Sequence, residues 1–219
     1  AGVNPTWDNG KFYLLPDIVN ETHLIKHELI LSSGWISYFD KNSFQNLTDK
    51  NPFLGSYSDF KNTRIEEKYT GIKGTLGNHF NYNTKFSFVT YSDMPLMVND
   101  TLDGKTFYTR YEDKLQAYQL HGEVEYVEEE NLSLGFSFDW FNYFKQSTEA
   151  KPWGLVPFQA NFYAQVVPFK NFRLTADIFA LTGSWYLQDS SYHKTLGAFD
   201  VNLGGAYQIN DKIGLWLNV

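Results

Sequence analysis

The residues best suited to chemistry in this sequence are aromatic side chains in irregular segments, where they could contact a ligand. Loops held by a rigid scaffold carry recognition residues more often than the scaffold does. We therefore predict a set of ligand contacts in the long loops, made of Trp153, Trp185, Tyr186 and Tyr192.

No motif in the sequence indicates an enzyme. Gly-x-Ser-x-Gly, the P-loop, His-Glu-x-x-His and Gly-x-Gly-x-x-Gly are all absent. His23 and His27 could share a strand face, but His23 falls in a predicted turn. The acidic residues Asp93, Asp100 and Asp103 do not have the spacing of an EF-hand loop. We predict no catalytic residue, no metal site and no cofactor.

The composition excludes several classes of protein. The chain has 219 residues, no cysteine and a formal net charge of −7. The absence of cysteine excludes disulfide frameworks and thiolate metal sites. The acidic balance, without a lysine or arginine stripe, argues against nucleic acid as a partner. No apolar run approaches the roughly 18 residues that a membrane-spanning helix needs.

The strongest pattern is a residue-by-residue alternation of apolar and polar side chains. Residues 132–140 place Leu, Leu, Phe, Phe and Trp on one face and Ser, Gly, Ser and Asp on the other. Residues 158–166 repeat the pattern, and about ten such segments occur along the chain. A strand with one apolar and one polar face is typical of a transmembrane β-barrel, with lipid outside and a water-filled lumen inside. The carboxylates on the polar faces could disfavour anions, or they could simply be a hydrated lining or a surface that contacts a plug.

The connections between the predicted strands alternate between short turns and long loops. We predict long loops at residues 41–63, 91–106, 145–157 and 186–195. Outer-membrane barrels have short periplasmic turns and long extracellular loops. The predicted fold is therefore all-β: an antiparallel up-and-down transmembrane β-barrel, with no amphipathic helix.

The direction of the strands suggests a part of a larger barrel. The first predicted strand, residues 11–19, is interrupted by Pro16 and leads to a short turn. The last begins at Ile213 after a short turn and stops at Val219. Both chain ends would then lie outside the cell. We predict that residues 1–219 are a single segment of a larger outer-membrane barrel, without a plug domain.

Two runs at the end of the chain carry a resemblance to a known family. Residues 199–207, Phe-Asp-Val-Asn-Leu-Gly-Gly-Ala-Tyr, and residues 211–219, Asp-Lys-Ile-Gly-Leu-Trp-Leu-Asn-Val, resemble the penultimate hairpin of TonB-dependent-receptor-like outer-membrane proteins of Bacteroidetes type. The resemblance implies the C-terminal part of a receptor or transporter barrel, which binds a ligand at extracellular loops and admits it through the barrel. It also implies as partners the bilayer of the outer membrane, TonB through an upstream segment, and other outer-membrane or lipoprotein subunits.

Two alternatives stay open. A barrel of this type could be a non-transporting structural or accessory subunit of an outer-membrane complex. A soluble all-β binding protein, either a sandwich or a lipocalin-like barrel, would also alternate, because one face of each strand could form a core. The regular change between short turns and long loops favours the membrane barrel.

Overall fold

The computed structural model describes residues 2–56, 59–129 and 131–219, and nearly all of them belong to β-strands. In chain order the elements are β1 (Gly2–Asp8), β2 (Lys11–Ile25), β3 (Leu29–Asp40), α1 (Phe44–Lys50), β4 (Thr63–Leu76), β5 (Phe80–Asn99), β6 (Phe107–Glu128), β7 (Leu132–Gln146), β8 (Phe158–Phe169), β9 (Phe172–Leu181), β10 (Trp185–Gln188), β11 (Ser191–Lys194), β12 (Ala198–Asn210) and β13 (Ile213–Asn218). No helix among these described residues is long and apolar enough to cross a membrane.

Eleven strands form one antiparallel sheet in which neighbours in sequence are neighbours in space. The order is β1-β2-β3-β4-β5-β6-β7-β8-β9-β12-β13, and β10 and β11 form a separate two-stranded hairpin. Connections 26–28, 77–79, 129–131, 170–171 and 211–212 define the short-turn end, and connections 41–62, 100–106, 147–157 and 182–197 define the long-loop end. This up-and-down arrangement confirms the predicted all-β antiparallel fold.

The alternation predicted from the sequence divides the sheet into two faces. Cross-strand pairs such as Val124–Phe136 and Phe136–Phe162 share one face, here called the apolar face. The intervening pairs Glu123–Ser137 and Ser137–Asn161 share the other, here called the polar face. Many large side chains on the apolar face are exposed, including Phe86, Phe136 and Phe162.

The first strand of the sheet was missed by the sequence analysis. β1 pairs with β2 through a tight hairpin at Asn9 and Gly10, which have φ values of 51° and 74°. Two positive φ angles give a hairpin turn the twist that its strands need, and Asn-Gly is the sequence that adopts them most readily. The start of the chain is therefore paired strand rather than loop.

This strand corrects the predicted direction of the first strand. β1 runs toward the long-loop end, and Gly2 pairs with Asp17 in the middle of β2. At the other side of the sheet, Asn218 pairs with Gly204 in the middle of β12. The predicted direction is wrong for the first strand, whereas the last strand, β13, does run from a short turn toward the long-loop end.

Pro16 is accommodated inside β2 rather than ending it. It pairs with Val3 of β1, whereas the pairing of β2 with β3 begins one residue later, at Asp17 and Ile36. Proline has no N–H to donate, so it is tolerated where a strand has a neighbour on one side only.

The predicted long loops contain more regular structure than expected. The segment predicted as a loop at 91–106 is mostly strand, because β5 continues to Asn99 and β6 begins at Phe107. The loop predicted at 186–195 holds most of the hairpin of β10 and β11. Helix α1, which was not predicted, begins after Ser43, whose side chain accepts a hydrogen bond from the N–H of Asn46 at 3.2 Å.

Candidate functional site

The long connections pack together at one end of the sheet in a layer here called the cap. It consists of α1, the loop 147–157, the hairpin of β10 and β11, and the ends of β5 and β6 beyond Asp93 and Glu112. The cap core contains the buried residues Leu96, Val98 and Trp153, with Met94, Leu155, Trp185 and Leu187 packed against them. A buried apolar cluster therefore lies at the long-loop end.

The cap is built on a hairpin that projects beyond its neighbours. β5 and β6 stay paired from Met94–Glu112 to Asn99–Phe107. β4 reaches only Thr63, which precedes the Arg64–Ser92 pair, so it does not cover the projection. Asp93, at the base of the projection, has a φ of 54°. The loops supply the contacts that flanking strands do not.

Glu112 fixes the loop 147–157 to this hairpin. Its carboxylate is fully buried and accepts hydrogen bonds from the N–H and hydroxyl of Ser147, both at 2.7 Å. It also accepts the N–H of Thr148 at 2.9 Å and that of Glu149 at 2.6 Å. Burial acts to raise the pKa of Glu112, but the hydrogen bonds from Glu149 and Ser147 outweigh it, and the pKa is lowered. The loop is thus held by a charged acceptor.

Further hydrogen bonds fix the hairpin of β10 and β11 and the inside of the loop 147–157. The side-chain amide of Asn99 donates to the carbonyl of Leu187 at 2.7 Å and accepts its N–H at 2.9 Å. The indole N–H of Trp153 donates to Glu149 at 2.9 Å. These bonds satisfy polar groups inside the cap, so its interior has a defined arrangement.

The structure brings three of the four predicted ligand contacts together. Trp153 is 3% exposed, and its ring meets Tyr192 edge-on with 5.5 Å between centroids. Trp153 also forms a β-bridge with Trp185. Nζ of Lys151 lies 4.5 Å from the centroid of Trp185 and 5.7 Å from that of Tyr192. Tyr186 lies instead beside His193, 5.6 Å away between ring centroids.

The four residues differ in how accessible they are to a ligand. Trp153 packs in the cap core and is almost entirely buried. Tyr192 is about half exposed, and Trp185 has Lys151 and Lys194 against its ring. Tyr186 presents its ring on the other side of the hairpin, since neighbouring residues of a strand face opposite ways. A role of these residues in binding stays a prediction.

A cavity of about 340 Å³ lies under the cap and was not found by sequence reasoning. Its wall is mostly apolar, with polar groups from β3, the loop after it, α1, β4 and β5. It is lined by Asp40, Asn42, Leu47, Lys50, Thr63, Ile65, Tyr91, Met94, Pro95, Met97, Trp153, Gly154 and Leu155. Both methionines of the chain are among them. An apolar pocket with a few polar groups is the usual form of a small-molecule site.

The polar face below the cap carries fixed polar groups. Glu67, 8% exposed, pairs with Lys85 at 2.8 Å and accepts the hydroxyl of Ser87 at 2.5 Å. Nδ1 of His121 lies 3.0 Å from Asp139. Some carboxylates predicted to line a lumen are therefore held in hydrogen-bonded clusters.

The acidic loop residues serve to close a turn. Asp103 accepts the N–H groups of Thr106 at 2.9 Å and of Lys105 at 2.8 Å, and these bonds lower its pKa. Asp100 accepts the N–H of Leu102 at 2.8 Å. In the part of the chain that the structure describes, no three metal-ligating side chains form a group that could hold an ion.

The comparisons with known proteins identify the fold. No family model matches the chain, and neither does any curated protein. The siderophore receptor PirA from Acinetobacter baumannii matches with a TM-score of 0.66 at 10% identity, over 93% of this chain and 36% of that one. The pyoverdine outer membrane receptor FpvA from Pseudomonas aeruginosa matches with a TM-score of 0.64 at 14% identity, over 95% and 31%.

The copper transporter OprC is a further structural neighbour, with a TM-score of 0.59 at 13% identity, over 91% of this chain and 32% of that one. The chain spans about a third of the length of these neighbours. It therefore has the fold of a section of a TonB-dependent receptor barrel. The Bacteroidetes type stays a prediction.

Proposed function

We propose that this chain forms part of the wall of an outer-membrane receptor barrel, which binds a ligand at its long-loop end and admits it through the lumen. The observation that carries the proposal is the combination of an eleven-stranded meander with one apolar and one polar face and a packed cap at one end. The proposed role involves no covalent chemistry by these residues.

The dimensions of the apolar face support a position in a bilayer. On β6, Tyr126 and Tyr118 lie on this face near the two ends of the apolar stretch. Their separation along the strand is about 27 Å at 3.4 Å per residue. With a strand tilt of about 40°, this corresponds to about 20 Å along the membrane normal, close to the band of about 25 Å in outer-membrane barrels.

The cap supports a role in binding. Asn42 lines its cavity and is held in place by its side-chain amide, which donates to the carbonyl of Lys61 at 2.8 Å and to Thr63 at 2.9 Å. Trp153 lines this cavity and contacts both Trp185 and Tyr192, so these two residues lie near it. We propose this region, together with Tyr186, as the ligand site.

The edges of the sheet support a larger barrel. β1 and β13 each pair with one neighbour in the described residues, and closed barrels leave no such edge. We propose that residues 1–219 contribute one section of a wall that further strands close. A plug and a segment that contacts TonB would belong to other parts of the assembly, and so would accessory subunits.

The test combines localisation with ligand binding. The protein is expected in the outer-membrane fraction, and its thermal unfolding in detergent should shift with a ligand. Ferric enterobactin, ferric pyoverdine and copper are suitable probes, because structural neighbours include receptors or transporters of these molecules. Met97→Trp, which fills the cavity, should abolish the shift, whereas Leu102→Trp at an exposed position should not. A protein found only in the soluble fraction would refute the proposal.

A further inference from the structure

A compact aromatic cluster marks one level of the apolar face near the long-loop end. The rings of Tyr118 and Phe144 are stacked, with 4.7 Å between centroids. Phe88 lies 5.8 Å from Tyr118 and 6.1 Å from Phe144. Aromatic residues of membrane barrels concentrate at the boundary between hydrocarbon and headgroups. The cluster therefore marks the upper boundary of the proposed membrane band.

A β-bulge in β7 places a lysine just above this cluster. Ala117 pairs with Tyr143, but Gln116 pairs with Lys145, so Phe144 is an extra residue between them. Gln116 lies two residues from Tyr118 and thus on the same face. Its partner Lys145 shares that face, because directly paired residues point the same way.

Lys114 lies beside Lys145 at this level. Lys114 precedes Gln116 by two residues and lies nearer the long-loop end. It is therefore the diagonal neighbour of Lys145, at a distance of about 7–8 Å between backbones. Its backbone is fixed, because its N–H donates to the hydroxyl of Ser147 at 3.0 Å. Both lysine side chains are exposed.

The charges of these lysines are not neutralised by neighbouring side chains. Within the described residues, neither lysine has a carboxylate oxygen within 4.0 Å, whereas Lys85 and Lys73 on the polar face each have one. Arg64 extends the same row: it pairs with Ser92, which pairs with Lys114, and its Nη2 donates to Ser92 at 3.3 Å. On a chain with a net charge of −7, this is a local concentration of free positive charge.

Two carboxylates lie near the row and are already engaged. That of Glu112, two residues from Lys114, accepts the backbone N–H of Lys114 at 3.2 Å and is otherwise filled by hydrogen bonds from the loop 147–157. Glu66, two residues from Arg64, pairs with Lys68 at 3.3 Å and accepts the indole N–H of Trp35 at 3.0 Å. Glu66 therefore does not neutralise Lys114, which lies two strands away, or Lys145, which lies three strands away.

We propose that Lys114 and Lys145, assisted by Arg64, bind a phosphate group on the headgroup of a membrane lipid. The inference rests on the proposed position of the barrel in the membrane. Lys114 lies about 14 Å along the strand beyond Tyr118 at 3.4 Å per residue. This is about 10 Å along the normal at a tilt of about 40°, which is the level of headgroups rather than of hydrocarbon. The backbones of the two lysines are about 7–8 Å apart, so their flexible side chains can bring both ammonium groups to one phosphate.

The test measures lipid binding by the full chain in detergent micelles by native mass spectrometry. The probe is diphosphoryl lipid A, and the same lipid without phosphates is the comparison. Each surface cation raises the affinity for an anionic lipid about fivefold. The double substitution Lys114→Gln with Lys145→Gln should therefore weaken binding of the phosphorylated lipid by about thirtyfold. The arginine pair K114R/K145R should retain binding. The matched control K41Q/K105Q removes the same charge from two exposed loop residues and should bind like the parent chain.

The outcomes separate this proposal from the proposed function. Equal binding of the two lipids by a chain that inserts into vesicles would overturn the phosphate site and leave the barrel intact. Failure of the parent chain to insert would refute the proposed function itself. Displacement of the lipid by inorganic phosphate alone would assign the lysines to a soluble anion and overturn the lipid assignment.

Discussion

Glu112 accepts the backbone N–H of Glu149 at 2.6 Å, which joins two segments 37 residues apart in the sequence. The carboxylate lies at the base of the projecting hairpin of β5 and β6 and is fully buried. Its other acceptor positions receive Ser147 and Thr148. A single side chain thus converts a long connection into an ordered part of the cap.

The first prediction concerns this carboxylate. Glu112→Gln replaces one charged oxygen by an N–H₂ group, which would face the N–H groups of residues 147–149. Hydrogen bonds to charged groups contribute about 1.5–3 kcal/mol each, so amide hydrogen exchange in this segment should accelerate at least about tenfold. Hydrogen exchange with mass spectrometry provides the measurement. Asp113→Asn, at an exposed neighbouring residue, is the matched control, and equal exchange in both variants would contradict the assigned role.

The second prediction concerns pH. The pKa of Glu112 is lowered from its ordinary value of 4.5. A carboxylate whose pKa is lower in the folded than in the unfolded state stabilises the fold fully above its unfolded-state pKa. This contribution is lost as the pH falls through the folded-state pKa. Ordering of the loop 147–157 should therefore be constant above pH 4.5 and weaken below it. The NMR signal of the Trp153 indole N–H reports this. A transition that persists unchanged in Glu112→Gln would assign it to another group.

The third prediction concerns the cap core. Trp153→Ala removes a ring that is 3% exposed and leaves a cavity among Leu96 and Val98. Loss of a large buried aromatic side chain costs about 3–5 kcal/mol. The amide of Leu187 should lose its protection from hydrogen exchange. Trp216→Ala, at a residue that is 78% exposed, should leave this protection unchanged. Equal effects of the two substitutions would mean that Trp153 does not hold the cap together.

The fourth prediction concerns the ion pair of the polar face. Lys85→Met should reduce the free energy of unfolding by about 3 kcal/mol, because it leaves the buried charge of Glu67 without its partner. Adding Glu67→Gln should recover part of the loss. Urea unfolding of the two single variants and the double variant measures the coupling. Strictly additive effects would show that the two side chains do not interact in solution.

The two faces of the sheet were predictable because they depend only on the period of two along each strand. Residues 132–140 and 158–166 show this, since Phe136 and Phe162 do pair on one face. β1 was not predicted because its residues do not alternate clearly between apolar and polar. It is a strand because the Asn9–Gly10 turn pairs it with β2. The loop predicted at 91–106 is largely strand because β5 and β6 pair with each other beyond their neighbours, which no local pattern reveals.

The interior of the cap was beyond sequence reasoning for a similar reason. Its contacts join residues far apart in the chain: Asn99 bonds Leu187, and Glu112 bonds Ser147. Neither pair has a recognisable spacing. The aromatic residues of the loops led to the prediction of ligand contacts at Trp153, Trp185 and Tyr192, but no local pattern showed that Trp153 is buried.

The central claim is that the apolar face contacts lipid and the polar face contacts water. The chain contains no cysteine, so single cysteines can be introduced without removing any. In vesicles, a water-soluble maleimide should label cysteines at Glu123 and Ser137 but not at Val124 and Phe136, and a lipid-soluble quencher should show the opposite pattern. Equal labelling of both faces by the water-soluble reagent would contradict the account.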